Sequence, residues 1–156
     1  MKIIGLLALL LSGIGCGALA GGELDARVKN VTALCKMLKL IRRMVESFSM
    51  SARDILEEAP EELVAACGFD LECQASSLVS FAEACRIPDG EARYIFTEFA
   101  YSFGKHYREE QIKECGYYIE RMEERERLLL QKLPAQKKLV FAVSLCIPLA
   151  AAILLI

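Results

Sequence analysis

Apolar residues fill both ends of this chain, and between the ends they recur every three or four positions. Residues 3–22 and 139–156 carry no charge, whereas all 21 acidic residues and 18 of the 19 basic ones lie between Glu23 and Lys138. At ~1.5 Å rise per residue, stretches of this length make helices of roughly 27–30 Å, about the thickness of a bilayer core. Backbone in lipid must satisfy its own hydrogen bonds, so helix is the form expected of both. The expected architecture is all-α: a transmembrane helix over 1–22, a helical bundle over 23–138 and a C-terminal transmembrane helix over 139–156. Pro148 would kink the last of these.

Within the middle segment, Leu24, Val28, Val31, Leu34, Leu38, Ile41, Val45 and Phe48 form one face of a helix from about Glu23 to Ser49. Ser51 and Asp54 have capping-box spacing and start a short helix through Glu58. Pro60 suits the first turn of the next helix, which Gly68 ends. Asp70 is placed to cap another, with Leu71, Leu78, Phe81 and Cys85 inward. Ile87-Pro88-Asp89-Gly90 is a turn signal, because Pro fixes φ and Gly permits positive φ. After it come Tyr94, Ile95, Phe99 and Phe103, closed by Gly104. The last helix of the bundle is expected from Arg108 to Leu133, with Ile112, Cys115, Ile119, Met122, Leu129 and Leu133 on one face. Glu109 with Lys113 and Glu123 with Arg127 are i,i+4 pairs along it, and Pro134 is expected to end it. No segment alternates with period two, so no strand is expected.

The first apolar stretch admits competing readings. Lys2, the apolar run and Ala18-Leu19-Ala20 resemble a secretory signal with a cleavage site before Gly21. Cys16 suggests a lipoprotein, but Gly13 stands where a bulky aliphatic residue is usual. Gly13, Gly17 and Gly21 at four-residue spacing instead form a smooth stripe for helix packing, which favours a retained helix. Basic residues flank the middle segment on its inner side: Arg27, Lys29, Lys36 and Lys39 at one end, and Arg125, Arg127, Lys132, Lys137 and Lys138 at the other. The outer flanks offer only Lys2. The positive-inside rule therefore puts the middle domain in the cytoplasm.

Net charge of −2 gives no sign of bulk nucleic-acid binding. Five of the seven cysteines (Cys35, Cys67, Cys73, Cys85 and Cys115) fall in the middle domain, an odd count without the paired spacing of a disulfide or zinc framework. Reduced thiols in a helical core are the expected state. A thiol sensor or metal module built on Cys67, Cys73 and Cys85, with the lone His106, is the alternative. Gly15-Cys16-Gly17-Ala18-Leu19-Ala20 matches a loose dinucleotide pattern but has neither a strand before it nor an acidic partner after it, so it is read as chance. Acidic clusters at Glu57-Glu58 with Glu61-Glu62, and at Glu109-Glu110, read as solvated faces or as a docking surface. No catalytic constellation is found, so the chain is expected to be a non-enzyme, without cofactor, metal or small-molecule substrate.

The stretch from Glu98 to Lys113, with Phe103-Gly104 and then Gln111-Ile112-Lys113, resembles the stage III sporulation protein AB family. The Met-Lys-Ile-Ile-Gly opening, Asp54-Ile55-Leu56, and the basic Lys137-Lys138 before the last apolar run fit it as well. Phe103 stands where the family has Leu, and His106-Tyr107 where it has Ser-Asp. The resemblance marks Glu98, Phe103, Gly104, Gln111 and Lys113 as motif positions. It implies a platform component, akin to the F-type proteins of type II secretion, in the sporulation channel between mother cell and forespore. The implied partners are other channel membrane proteins and a cytoplasmic secretion-type ATPase. The competing reading is an exported helical binding protein, its signal cleaved, held by the C-terminal span.

Overall fold

A computed structural model describes residues 2–48, 51–71 and 75–155, with side-chain surroundings for residues 19–48, 51–71, 75–144, 146, 147 and 150. It is all-helical, with no strand among the described residues: α1 Lys2–Phe48, α2 Ala52–Glu58, α3 Glu61–Ala66, α4 Leu78–Ala84, α5 Gly90–Ser102 and α6 Arg108–Leu155. Two compact units emerge, residues 27–128 and residues 1–26 with 129–156. Among the described residues no helix is long and apolar enough to cross a membrane. The spans expected over 1–22 and 139–156 fall mostly on residues whose side chains lie outside the described ones. So do Gly13, Gly17 and Cys16, and Cys73 falls in the undescribed 72–74.

In the 27–128 unit, α1 is the central helix. From Val28 to Val45 its only fully exposed residues are Lys29, Lys36, Lys39 and Arg43, while Val31, Leu34, Met37, Leu38 and Ile41 have no accessible surface. The single apolar face read from the sequence is therefore half of the picture. Ala33, Cys35, Met37 and Leu40 bury a second face, and the helix is wrapped on both sides. At its ends the expectation is too generous: Leu24 is half-buried and Phe48 is exposed. Fully burying a Leu, Met or Phe of this core contributes about 1.5–3 kcal/mol.

α6 packs on one flank of α1, joined by Lys39 to Glu123 at 2.6 Å and by the Thr32 hydroxyl donating to Glu126 at 2.5 Å. Glu123 thus pairs across helices rather than with Arg127. α3 lies along another flank. Pro60 shares a groove with Lys39 and Arg43, and the Asn30 amide donates to the Ala66 carbonyl at 3.0 Å, so α3 runs antiparallel to α1. An aromatic series ties the smaller helices together: Phe69 to Phe81 (4.8 Å between centroids), Phe81 to Phe96 (6.1 Å), Phe96 to Phe99 (6.5 Å) and Phe99 to Tyr118 of α6 (5.5 Å).

The helix starts follow local chemistry. The Ser51–Asp54 capping box forms as expected. α4, however, is capped by Ser77 and not by Asp70: Ser77 and Ser80 close a reciprocal box, with Ser80 N–H donating to Ser77 Oγ at 3.1 Å. A serine reaches back as a Glu would, so the box escapes a search for Glu or Gln at its third position. Leu71, expected inward, is exposed because that helix begins later, while Leu78, Phe81 and Cys85 are buried as expected. On α5 the inward face is Ala92, Ile95, Phe96 and Phe99, so Tyr94 turns outward. α6 does not end at Pro134 but runs on to Leu155. Proline removes the hydrogen bond to the Leu130 carbonyl, and both residues are exposed, so water can take the vacated acceptor.

In the other unit, Lys137 and Asp25 form an ion pair at 2.7 Å. Gly21 is buried, yet a Cβ built there would meet nothing within 4 Å.

Candidate functional site

The motif positions fall on α5, on α6 and in the turn between them. α5 ends at Ser102, with the Phe103 N–H donating to Phe99 O at 2.9 Å, and the chain reverses through Gly104 at φ +82°. A residue with a side chain rarely adopts that conformation, which is why glycine stands there. The Gly104 N–H donates to Gln111 Oε1 at 2.7 Å, and Gln111, 4 % exposed, sits in the first turn of α6. Phe103 is half-buried, its ring 5.6 Å from Phe99. Three motif residues therefore form one structural unit: a glycine that turns the chain, a glutamine that satisfies the glycine's amide, and a phenylalanine that seats the turn on the core.

Glu98 lies apart from that turn and pairs with Arg121 at 2.8 Å, bridging α5 to α6. The Arg121 guanidinium also stands 5.4 Å from the Tyr117 ring centre. Lys113 is exposed, and the structure brings it to none of the others. Arg108, which the sequence reading passed over, opens α6 and donates from Nε to the Val45 carbonyl at 3.2 Å and from Nη2 to the Glu46 carbonyl. These are orphan carbonyls in the last turn of α1, where a cation is favoured. The motif turn and the end of the central helix are thereby one joined corner.

A second junction was also missed. Arg125 of α6 grips Asp89 with two hydrogen bonds, Nε to Oδ1 at 2.9 Å and Nη2 to Oδ2 at 2.8 Å, and reaches Glu91 at 2.6 Å. Asp89 also caps α5, accepting from the Ala92 N–H at 2.9 Å, with its side chain 2 % exposed. Burial works against its ionisation. The Arg125 hydrogen bonds, the Ala92 amide and the charges of Arg125 and Arg27 outweigh burial and hold the carboxyl below its ordinary range. The sequence signal was present, since an aspartate ahead of a glycine-started helix is a strong cap, but its partner 36 residues on was not.

Four thiols, Cys35, Cys67, Cys85 and Cys115, are buried, whereas Cys146 is exposed. Burial, with the charge of Glu126, pushes Cys35 up to about 12; burial pushes Cys85 up to about 12 and Cys115 up to about 11, and raises Cys67 as well. Thiolate, the form that ligates or attacks, is disfavoured at each. Among the described residues no group of His, Cys, Asp and Glu is arranged to hold a metal ion. His106 is exposed, 3.6 Å from Glu110. A cleft of about 500 Å³ between α2, α3 and α4 is lined by Leu56, Val64, Phe69 and Phe81, with Arg53 already paired to Glu57 at its rim. Together the contacts of Arg108, Gln111 and Arg125 fasten the ends of α1, α5 and α6 to one another.

The family model for stage III sporulation protein AB matches residues 2–156. No curated protein and no solved structure matches the chain. The chain belongs to the stage III sporulation protein AB family, and its role lies in that stage of spore formation.

Proposed function

We propose that the protein is a non-enzymatic platform component of the sporulation channel between mother cell and forespore. Its middle domain faces the mother-cell cytoplasm between two membrane spans. There it works with a cytoplasmic secretion-type ATPase and with other membrane proteins of the channel. The family match over essentially the whole chain carries this reading. Three further observations support it. The uncharged stretches 3–22 and 139–156 have span length. Basic residues crowd their inner flanks. The motif residues Phe103, Gly104 and Gln111 bind the α5–α6 turn, while Arg108 joins it to the end of α1. A load applied at that corner would pass along α1 and α6, the helices that carry the two apolar stretches.

The test is the intact mass of the protein extracted from membranes of sporulating cells. A chain that keeps Met1 or Lys2 is expected. A chain beginning at Gly21, cut after Ala18-Leu19-Ala20, would export the middle domain. It would end the ATPase partnership and favour an exported, C-terminally anchored binding protein.

A further inference from the structure

α1 and the start of α3 enclose a shallow groove with an apolar floor and a basic rim. Leu40, Pro60 and Leu63 form the floor, Lys36, Lys39 and Arg43 the rim, and among the described residues no carboxylate lines it. Leu40 is buried, Leu63 half-buried and Pro60 exposed, and all three cations are exposed. Lys39 is already held by Glu123 across the next groove, which Arg43 borders together with Glu46 and Glu120. Lys36 and Arg43 make no ion pair among the described residues. Lys36, Leu40 and Arg43 stand at i, i+4 and i+7 on one face of α1. The two unpaired cations are therefore roughly 10.5 Å apart along the helix axis, with Leu40 between them. The adjoining groove, toward Val28, has Glu62 on its rim, so the wholly basic stretch is the one around Leu40.

We propose that this groove docks an acidic amphipathic helix of a partner protein, with carboxylates seven residues apart and a large apolar residue between them. Laid along α1, such a helix repeats the spacing of Lys36 and Arg43. Its apolar side chain then covers the Leu40, Pro60 and Leu63 floor, giving a dry centre inside a charged rim. Charge complementarity selects this occupant. An uncharged partner would strip water from Lys36 and Arg43 and return nothing for it. A basic one would set like charge against like. A small anion would reach the rim and leave the floor bare. The groove shares no residue with the motif turn, and a chain cut after Ala20 would keep it, so docking and the channel role fail separately.

The probe is a fluorescein-labelled, alanine-rich helical peptide of about 20 residues that repeats Glu-x-x-x-Leu-x-x-Glu. It is titrated with the full chain in a non-ionic detergent and read by fluorescence anisotropy. Wild type is expected to bind it, and Lys36→Glu with Arg43→Glu to bind about tenfold or more weakly. Arg93→Glu with Lys105→Glu changes the net charge equally at two exposed residues outside the groove, and should bind as wild type does. A peptide with Gln for Leu should bind wild type more weakly. A peptide with Lys for Glu should prefer the Lys36→Glu, Arg43→Glu variant, an outcome that a misfolded variant cannot give. No binding to wild type, equal losses in the two double variants, indifference to the peptide's Leu, or no preference of the lysine peptide for the reversed groove would each overturn the proposal. So would displacement of the probe by phosphatidylglycerol added to the micelles, which would assign the cations to lipid headgroups.

Discussion

Gly68 and Gly104 both take positive φ, +88° and +82°, yet replacing them should have different consequences. A Cβ at Gly104 meets nothing within 4 Å, so Gly104→Ala brings only the backbone strain of about 1–2 kcal/mol. A Cβ at Gly68 would stand 2.5 Å from the Arg86 carbonyl oxygen. The Arg86 N–H in turn donates to Gly68 O at 2.8 Å, so neither backbone can retreat without breaking that bond. Gly68→Ala should therefore destabilise by several kcal/mol, roughly the strain plus a lost backbone hydrogen bond and a displaced segment. Thermal denaturation of the two variants should show the Gly68 change lowering Tm far more; equal shifts would mean the Arg86 contact relaxes freely. At this scale the sequence marked Gly68 and Gly104 as helix ends. It could not reveal which of them has backbone packed against it, because Arg86 lies 18 positions further along the chain.

Between elements, the Asp89–Arg125 pair is the junction whose removal should be felt most. Arg125→Ala removes the partner of a carboxylate that is buried in the wild type, leaving it the Ala92 amide as hydrogen-bond donor and the more distant charge of Arg27. Removing one partner of a buried pair costs about 3–5 kcal/mol; Arg125 is itself partly exposed, so a loss near the lower end is expected. Asp89→Asn keeps the cap and should lose less. The sign of the pH effect follows from the depressed carboxyl. Its contribution is fully present above the ordinary value of 3.8, and is lost as pH falls through and below that value. Wild type should lose this stability as pH falls below the ordinary value of 3.8, and Asp89→Asn should show a flatter profile there in denaturation measured across the acid range. Helix existence was legible at this scale because period and caps are local: α2, α3, α5 and the start of α6 lie close to where the residues put them. The second buried face of α1 was legible only indirectly, in the confinement of its charges between Val28 and Val45 to Lys29, Lys36, Lys39, Arg42 and Arg43. The motif turn was found as a pattern, but its partners Arg108 and the α1 carbonyls come together only through tertiary packing.

For the whole molecule, the family match and the distribution of charge bear on different questions, and the stripe of Gly13, Gly17 and Gly21 is where they can be separated. Membership in the family concerns the whole chain and does not depend on how its ends pack. The proposed role as a platform does depend on it, since a platform in lipid must hold its spans against those of other proteins. In a bilayer no hydrophobic force draws helices together. Close approach over small residues, with the dispersion it allows, takes that place. Gly21 is the member of the stripe whose surroundings are described; it is buried, yet a Cβ added there would meet nothing within 4 Å. Replacing Gly13 and Gly17 by Leu lengthens the apolar side chains without adding charge, so membrane insertion should be preserved while helix approach is blocked. Co-purification with the other channel membrane proteins should then fall, because close approach over small residues is lost. Folding of the 27–128 unit, followed by circular dichroism, should stay the same. Undiminished co-purification would show that the glycines are ordinary membrane-segment residues, and that the platform is held together through its charged middle domain instead.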